Sequence, residues 1–166
     1  MSTDTATDPR SVIGIGGLVA RSGGGIIITH ALGSCLGICV HDQYTKVGAM
    51  IHAQLPLSVK NPDRARQQPA LFVDLSLGLV IDAAVRAGAE RRRLRICVAG
   101  AANVTSIAND IFNIAKQNIT VLRKVLWQMG VLVAGEDTGG TQPRTMTLDI
   151  ATGQVAIDSA GRRQIL

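Results

Sequence analysis

Apolar and polar residues alternate along two neighbouring stretches of the chain. Leu36, Ile38 and Val40 are interleaved with Gly37, Cys39 and His41, and Val47, Ala49 and Ile51 with Gly48, Met50 and His52. A period of two is that of a strand burying one face. The polar residues Asp42 to Thr45 lie between the two runs and predict a tight turn, hence an antiparallel hairpin. A two-residue loop at Gln43-Tyr44 would pair Asp42 with Thr45. It would place Leu36, Ile38 and Val40 opposite Ile51, Ala49 and Val47, and set Cys35 directly opposite His52. Directly opposed residues carry Cβ atoms about 4.5–5.5 Å apart. A one-residue slip would turn one apolar set to the wrong face.

The same reading predicts strands at 12–20 and 26–28, interrupted by Ser22-Gly23-Gly24-Gly25, then at 94–99, 131–134, 145–150 and 154–158. The last two are joined by a turn at Ala151-Thr152-Gly153. Helical spacing appears at 69–86, where Leu71, Leu75, Leu79 and Ala83 recur every four residues ahead of Gly88. It returns at 119–129, where Ile119, Leu122, Val125, Leu126 and Met129 share a face ahead of Gly130. A short helix is expected within 105–113 and a surface loop at 58–68. Residues 1–10 read as a disordered tail, which leaves one domain over 11–166. Strands dominate and two main helices are inserted. The expected class is α+β, a single domain of largely antiparallel sheet layers packed against those helices. Trp127, the one tryptophan, is expected to pack rather than to recognise a partner.

Composition sharpens this picture. Hydrophobic residues make up 46% of the 166 residues but aromatics only 2%, so the core must be built from Ile, Val, Leu and Ala. No run reaches the ~20 apolar residues that span a bilayer, and Met1-Ser2-Thr3-Asp4-Thr5 lacks a signal-peptide layout. The expectation is a cytoplasmic protein with no membrane insertion. A net charge of +5 favours acidic partners. The densest basic cluster, Arg91-Arg92-Arg93-Leu94-Arg95, reads as a solvated connection entering a strand. Nucleic-acid binding is disfavoured, because there are almost no aromatics to stack on bases and no recognition motif. Gly14-Ile15-Gly16-Gly17 lacks the helix and lysine of a phosphate loop and reads as a turn or bulge.

The candidate chemistry lies at the hairpin. Cysteine attacks carbonyl carbon as its thiolate, and an imidazole in reach is the usual means of making one near neutral pH. Cys35 and His52 are such a pair. Gly33 and Ser34 give Cys35 a small, flexible approach whose backbone N–H groups suit a substrate oxyanion. The other cysteines, Cys39 and Cys97, are expected in the core. An odd, small number of cysteines fits a reducing compartment without disulfides, and no spacing of a tetrahedral metal site is present.

The segment from Thr29 to Asp42, with its Leu32-Gly33-Ser34-Cys35, resembles the leading motif of the CheD chemoreceptor glutamine deamidases. Gly48-Ala49-Met50-Ile51-His52 with Leu55-Pro56 resembles that family's second motif. Val98-Ala99-Gly100-Ala101, Ile114-Ala115-Lys116-Gln117-Asn118, and Asp137-Thr138-Gly139-Gly140 followed by Arg144 are similar to its later blocks, in the family's order. The departures are Ala99 and Ala115, where the family usually has glycine, and His30, an unusual histidine. An added Cβ restricts the backbone and reshapes a site rim without touching the reacting groups.

The resemblance implies a Cys-His-Thr triad, with Cys35 the nucleophile, His52 the base and Thr29 the orienting member. It also implies an α/β/β layered fold, shared with other cysteine deamidases such as the toxin domain of cytotoxic necrotizing factor. The implied activity is hydrolysis of glutamine side chains on methyl-accepting chemotaxis receptors, and glutamate methyl esters would pass through the same thioester. No metal or organic cofactor is implied. A second reading is a binding module that adjusts a CheC-type phosphatase.

Overall fold

The computed structural model describes residues 9–104 and 112–166. Its strands are β1 (Arg10–Ile13), β2 (Leu18–Ser22), β3 (Ile26–Leu32), β4 (Leu36–Asp42), β5 (Val47–Ala53), β6 (Arg95–Gly100), β7 (Gly135–Thr138), β8 (Arg144–Asp149), β9 (Val155–Ser159) and β10 (Arg162–Ile165). The helices are α1 (Pro62–Gln67), α2 (Val73–Arg86) and α3 (Ile114–Met129). The strands form two five-stranded sheets, ordered β1-β3-β8-β9-β10 and β2-β5-β4-β6-β7. Pairing is antiparallel except for β1 with β3 and β6 with β7.

Alternation along the predicted hairpin decides the layering. Leu36, Ile38, Val40, Val47, Ala49 and Ile51 point to one side, where they meet Val73, Leu77, Val80 and Ile81 of α2 and Leu122 of α3. Cys39 and Met50 point to the other, where they meet Ile27, Met146, Leu148 and Ile157 of the second sheet. Every residue of β4 and β5 is therefore buried. Each fully buried aliphatic side chain contributes about 1.5–3 kcal/mol, so this doubly covered hairpin is the main anchor of the domain. The result is an α+β sandwich of one helical and two sheet layers.

The hairpin register differs from the expected one by two residues. Gly37 faces His52 and Asp42 faces Val47, so the loop runs over four residues, 43–46. The Asp42 carboxylate sets this loop by accepting the backbone N–H of Tyr44 at 3.0 Å, and Lys46 closes it in the left-handed conformation. An even shift leaves both apolar faces unchanged. It overturns the direct opposition of Cys35 and His52: Cys35 precedes β4 and lies diagonally from the histidine. Asp42 also receives Arg93 through Nε at 3.1 Å and Nη2 at 2.9 Å. That guanidinium holds the carboxyl well below the usual carboxylate range, so part of the 91–95 basic cluster serves the hairpin.

Other expectations are corrected locally. The strand at 12–20 is cut by a turn at 14–17, where Gly16 has φ +75°, and its halves join different sheets. The loop at 58–68 contains α1, capped by Asn61 with Pro62 in the first turn. The helix at 69–86 is interrupted at Phe72, which is extended. Residues 131–134 form no strand: Val131 N–H closes the end of α3 on Leu126 O at 3.0 Å, and pairing with β6 begins at Gly135. β10 follows a turn at Ala160-Gly161 that the sequence reading did not use. The short helix expected within 105–113 lies, over 105–111, outside the described residues, as do residues 1–8 of the expected tail. Arg10 opens β1 by pairing with Ile26. Trp127 does not pack; it is 82% exposed, on the opposite side of α3 from Leu122. No helix among the described residues is long and apolar enough to cross a membrane.

Candidate active site

Thr29 and His52 sit on different sheets and meet between them. Thr29 is in β3, beside Ile13 of β1; His52 is in β5, with its ring in the layer between the sheets. Thr29 Oγ1 lies 2.8 Å from His52 Nδ1 and donates to Ile13 O at 2.9 Å. A hydroxyl carries one hydrogen. Since that hydrogen is committed to the Ile13 carbonyl, Nδ1 must carry a hydrogen and donate it to Thr29. The neutral ring then presents a bare lone pair at Nε2. That atom is buried and accepts no hydrogen bond among the described residues.

The main chain fixes His52 as firmly. Its carbonyl accepts from Gly16 N–H at 2.8 Å and its N–H donates to Gly17 O at 3.0 Å. The glycine turn at 14–17 thus clasps the histidine backbone rather than a phosphate.

Cys35 is held by a second set of backbone contacts. Its carbonyl accepts from Ala101 N–H at 2.8 Å, and the Gly33 carbonyl accepts from Ala102 N–H at 2.7 Å. Gly100 is what permits this approach: it has φ +116°, and a Cβ there would lie 2.1 Å from Cys35 O. Ala31 and Ala101 also adopt positive φ, so left-handed backbone, disfavoured for residues with a Cβ, brackets the cysteine on both strands. Cys35 is 7% exposed. In the β4–β5 ladder Gly37 faces His52, and Cys35 stands two residues before Gly37. Diagonal neighbours in such a ladder are about 7–8 Å apart at Cα, and the side chains of Leu32 and Met146 pack over Gly37. Beside the cysteine lies a cavity of about 450 Å³ lined by Gly33, Ser34, Ala31, Ala102, Val104, Pro143 and the first turn of α3.

Burial governs the electrostatics. It pushes the Cys35 thiol up, although the residue's own backbone N–H beside the sulfur acts in the opposite direction. Burial also lowers His52 to about 4. Both groups are therefore neutral at rest near pH 7: a thiol and an imidazole rather than an ion pair. An unfolded histidine titrates near 6.5, so between that pH and about 4 the unfolded chain binds the extra proton. Stability is full above 6.5 and falls as the pH drops toward 4. Unfolding free energies from urea titrations at pH 7.5 and 4.5 are expected to differ by about 2–3 kcal/mol more in the parent protein than in His52→Gln.

The other sequence candidates occupy separate parts of the fold. Gly33 and Ser34 line the cavity, with the Gly33 N–H spent on Ala31 O at 2.9 Å. Cys39 and Cys97 face each other across β4 and β6, both buried in the inter-sheet core. The neighbouring Cys39 thiol lowers the Cys97 pKa. Cys97 is thus the more acidic thiol, but an enclosed one. Ala115 borders the cavity, Ala99 is interior, and His30 is exposed with Nδ1 3.2 Å from Thr145 Oγ1. Arg144 pairs with Asp137 at 2.9 Å. Sequence reasoning missed Gly100 and the glycine turn as supports of the site, and it placed Asn118 in a motif without a role. The polar residue at an otherwise buried face of α3 was the available signal.

Comparison with known proteins bears on most of the chain. The family model described as "CheD chemotactic sensory transduction" matches residues 54–159. A protein of Solibacter usitatus named a probable chemoreceptor glutamine deamidase CheD is 38% identical over 141 residues, 85% of this chain and 83% of its own. The Thermococcus kodakarensis protein of the same name is 36% identical over 155 residues, covering 93% and 95%. The Thermotoga maritima chemoreceptor glutamine deamidase CheD is 32% identical over 152 residues, covering 92% and 93%.

Proposed function

This chain belongs to the CheD family, and on that premise we propose that it hydrolyses glutamine side-chain amides of chemoreceptors through Cys35, His52 and Thr29. One observation carries the mechanism: the Thr29 hydrogen is spent on Ile13 O, which leaves His52 with a bare, buried Nε2. That lone pair is the base. As the substrate carboxamide enters beside Ser34, the Cys35 thiol gives its proton to Nε2 and the sulfur bonds to the amide carbon. The backbone N–H beside the sulfur faces the oxyanion that forms. His52 returns the proton to the departing nitrogen, ammonia leaves, and a thioester remains. Water, deprotonated by His52, attacks the thioester, releasing glutamate and restoring the thiol. A glutamate methyl ester would reach the same thioester with methanol as the leaving group.

Thr29 acts through the imidazole. A neutral hydroxyl steadies imidazolium less than a carboxylate does, which suits a slow regulatory enzyme. Thr29→Val leaves Nδ1–H without its acceptor. The roughly 1–3 kcal/mol at stake in a buried hydrogen bond predicts about a 10- to 100-fold fall in turnover, with Thr29→Ser retaining most activity. Steady-state rates of the two variants check this.

The deciding experiment incubates the protein with a chemoreceptor cytoplasmic fragment and follows peptide masses, with Cys35→Ala as control. Deamidation adds about 1 Da at glutamine and requires an activated thiol. A gain confined to the parent protein supports the reading. No gain, with Cys35 slow to alkylate, overturns it in favour of a binding module acting on a CheC-type phosphatase.

A further inference from the structure

We infer that Asn118 of α3 is a positioning residue that sets the spacing between Cys35 and His52; this rests on the reading of those two as nucleophile and base. The side chain is wholly buried. Its Nδ2 donates to Ser34 O at 2.8 Å and to Gln54 O at 3.0 Å. Ser34 immediately precedes the cysteine, and Gln54 follows the histidine by two residues. One planar amide group thus ties together the two backbone segments that carry the reacting pair, spending both of its hydrogens to do so.

The tie is rooted in a rigid element. Leu122, one turn further along α3, is fully buried against the helical face of the β4–β5 sheet. The strut therefore reports the position of α3 directly to Ser34 and Gln54. Few other side chains meet the requirement. Aspartate would set acceptors against two carbonyl oxygens, and leucine has no donors.

The third polar atom separates positioning from simple stabilisation. Asn118 Oδ1 is buried with no partner among the described residues. An unmet buried acceptor is unfavourable and offsets part of what the two bonds contribute. Ser34 and Gln54 are only half-buried, so water can satisfy their carbonyls once the amide is gone. The residue's net share in stability is accordingly small, and its share in geometry large.

The test compares Asn118→Leu and the smaller Asn118→Ser with the parent protein. Three quantities are read: kcat and KM on the chemoreceptor fragment, the urea midpoint, and iodoacetamide modification of Cys35 at pH 7 relative to pH 10, resolved from Cys39 and Cys97 by peptide mapping. A misplacement of about 1 Å costs about 100-fold in rate. The expected result is a fall of that order in kcat with KM within about twofold and a nearly unchanged midpoint. The pH 7 to pH 10 ratio should also drop, because at pH 10 hydroxide replaces the histidine as base. An unchanged kcat in either folded variant overturns the inference. So does a loss of kcat that tracks the midpoint with the alkylation ratio unmoved, or failure of both variants to fold, which would make Asn118 a structural residue. The two readings fail separately: a parent protein without deamidase activity, whose alkylation ratio still depends on Asn118, sinks the proposed reaction and leaves the positioning role standing.

Discussion

Replacement of His52 by alanine is expected to lower turnover about 10³- to 10⁴-fold. The reason is specific to this site. Burial holds Cys35 as a thiol and His52 as neutral imidazole, so in the proposed mechanism no thiolate waits for substrate and the proton must move during attack. Without Nε2 that proton has no acceptor, and only the few thiols ionised by hydroxide react. The residual activity of His52→Ala should therefore climb with pH up to and beyond pH 9. The parent protein should be nearly flat from about pH 5 to 8.5 and decline only as His52 protonates near pH 4. Parallel pH–rate profiles of the two proteins check this. A parent profile that instead falls on the alkaline side, as an imidazolium loses the proton needed by the leaving nitrogen, would show a preformed thiolate–imidazolium pair.

The largest expected loss of stability comes from Gly100→Ala. A Cβ there meets the Cys35 carbonyl at 2.1 Å, on a residue with φ +116°. Left-handed strain of about 1–3 kcal/mol and overpacking of about 1–3 kcal/mol together predict about 2–6 kcal/mol of destabilisation. The displaced carbonyl is that of Cys35, the proposed nucleophile, so whatever protein remains folded should also lose roughly 100-fold in turnover. Gly78→Ala is the control. That glycine lies within α2 with nothing within 4 Å of its would-be Cβ, and the change should stabilise by about 0.5–1 kcal/mol. Urea midpoints of both variants, with activity assayed well below the transition, test the pair. Equal midpoints would mean that the main chain around Cys35 yields easily.

The outcome at particular residues explains what could be read from the sequence. The faces of β4 and β5 were legible because Leu36, Ile38, Val40, Val47, Ala49 and Ile51 alternate strictly, and alternation encodes burial. Their register was not, because the loop is shaped by the Asp42 carboxylate and by Lys46 in a left-handed conformation, neither of which enters a hydrophobic pattern. The helix at 119–129 was legible in phase but short at its start, since Ala115 and Asn118 are buried without adding to the apolar count. Trp127 was misplaced because the expectation followed the residue type. The phase set by Leu122 already turned position 127 toward solvent.

At the site, Cys35 and His52 emerged as candidates from the hairpin pattern, and Thr29 through motif resemblance. Their arrangement did not, because Thr29 reaches His52 across a gap between sheets that no local pattern describes. Gly100 and Asn118 were visible only as motif letters. Their contributions are a missing Cβ and a pair of donors, and both depend on which backbone lies opposite.

The Thr29–His52 contact has a further consequence for the life of the chain. The two residues belong to separate sheets, so the reactive arrangement exists only once one sheet has docked on the other. A nascent or partly unfolded molecule that retains the helical layer and its own sheet carries the thiol but no oriented base. Such a molecule is chemically quiet toward the carboxamides of its neighbours. On the proposed mechanism, docking of the two sheets arms the cysteine, and loosening of the sandwich disarms it.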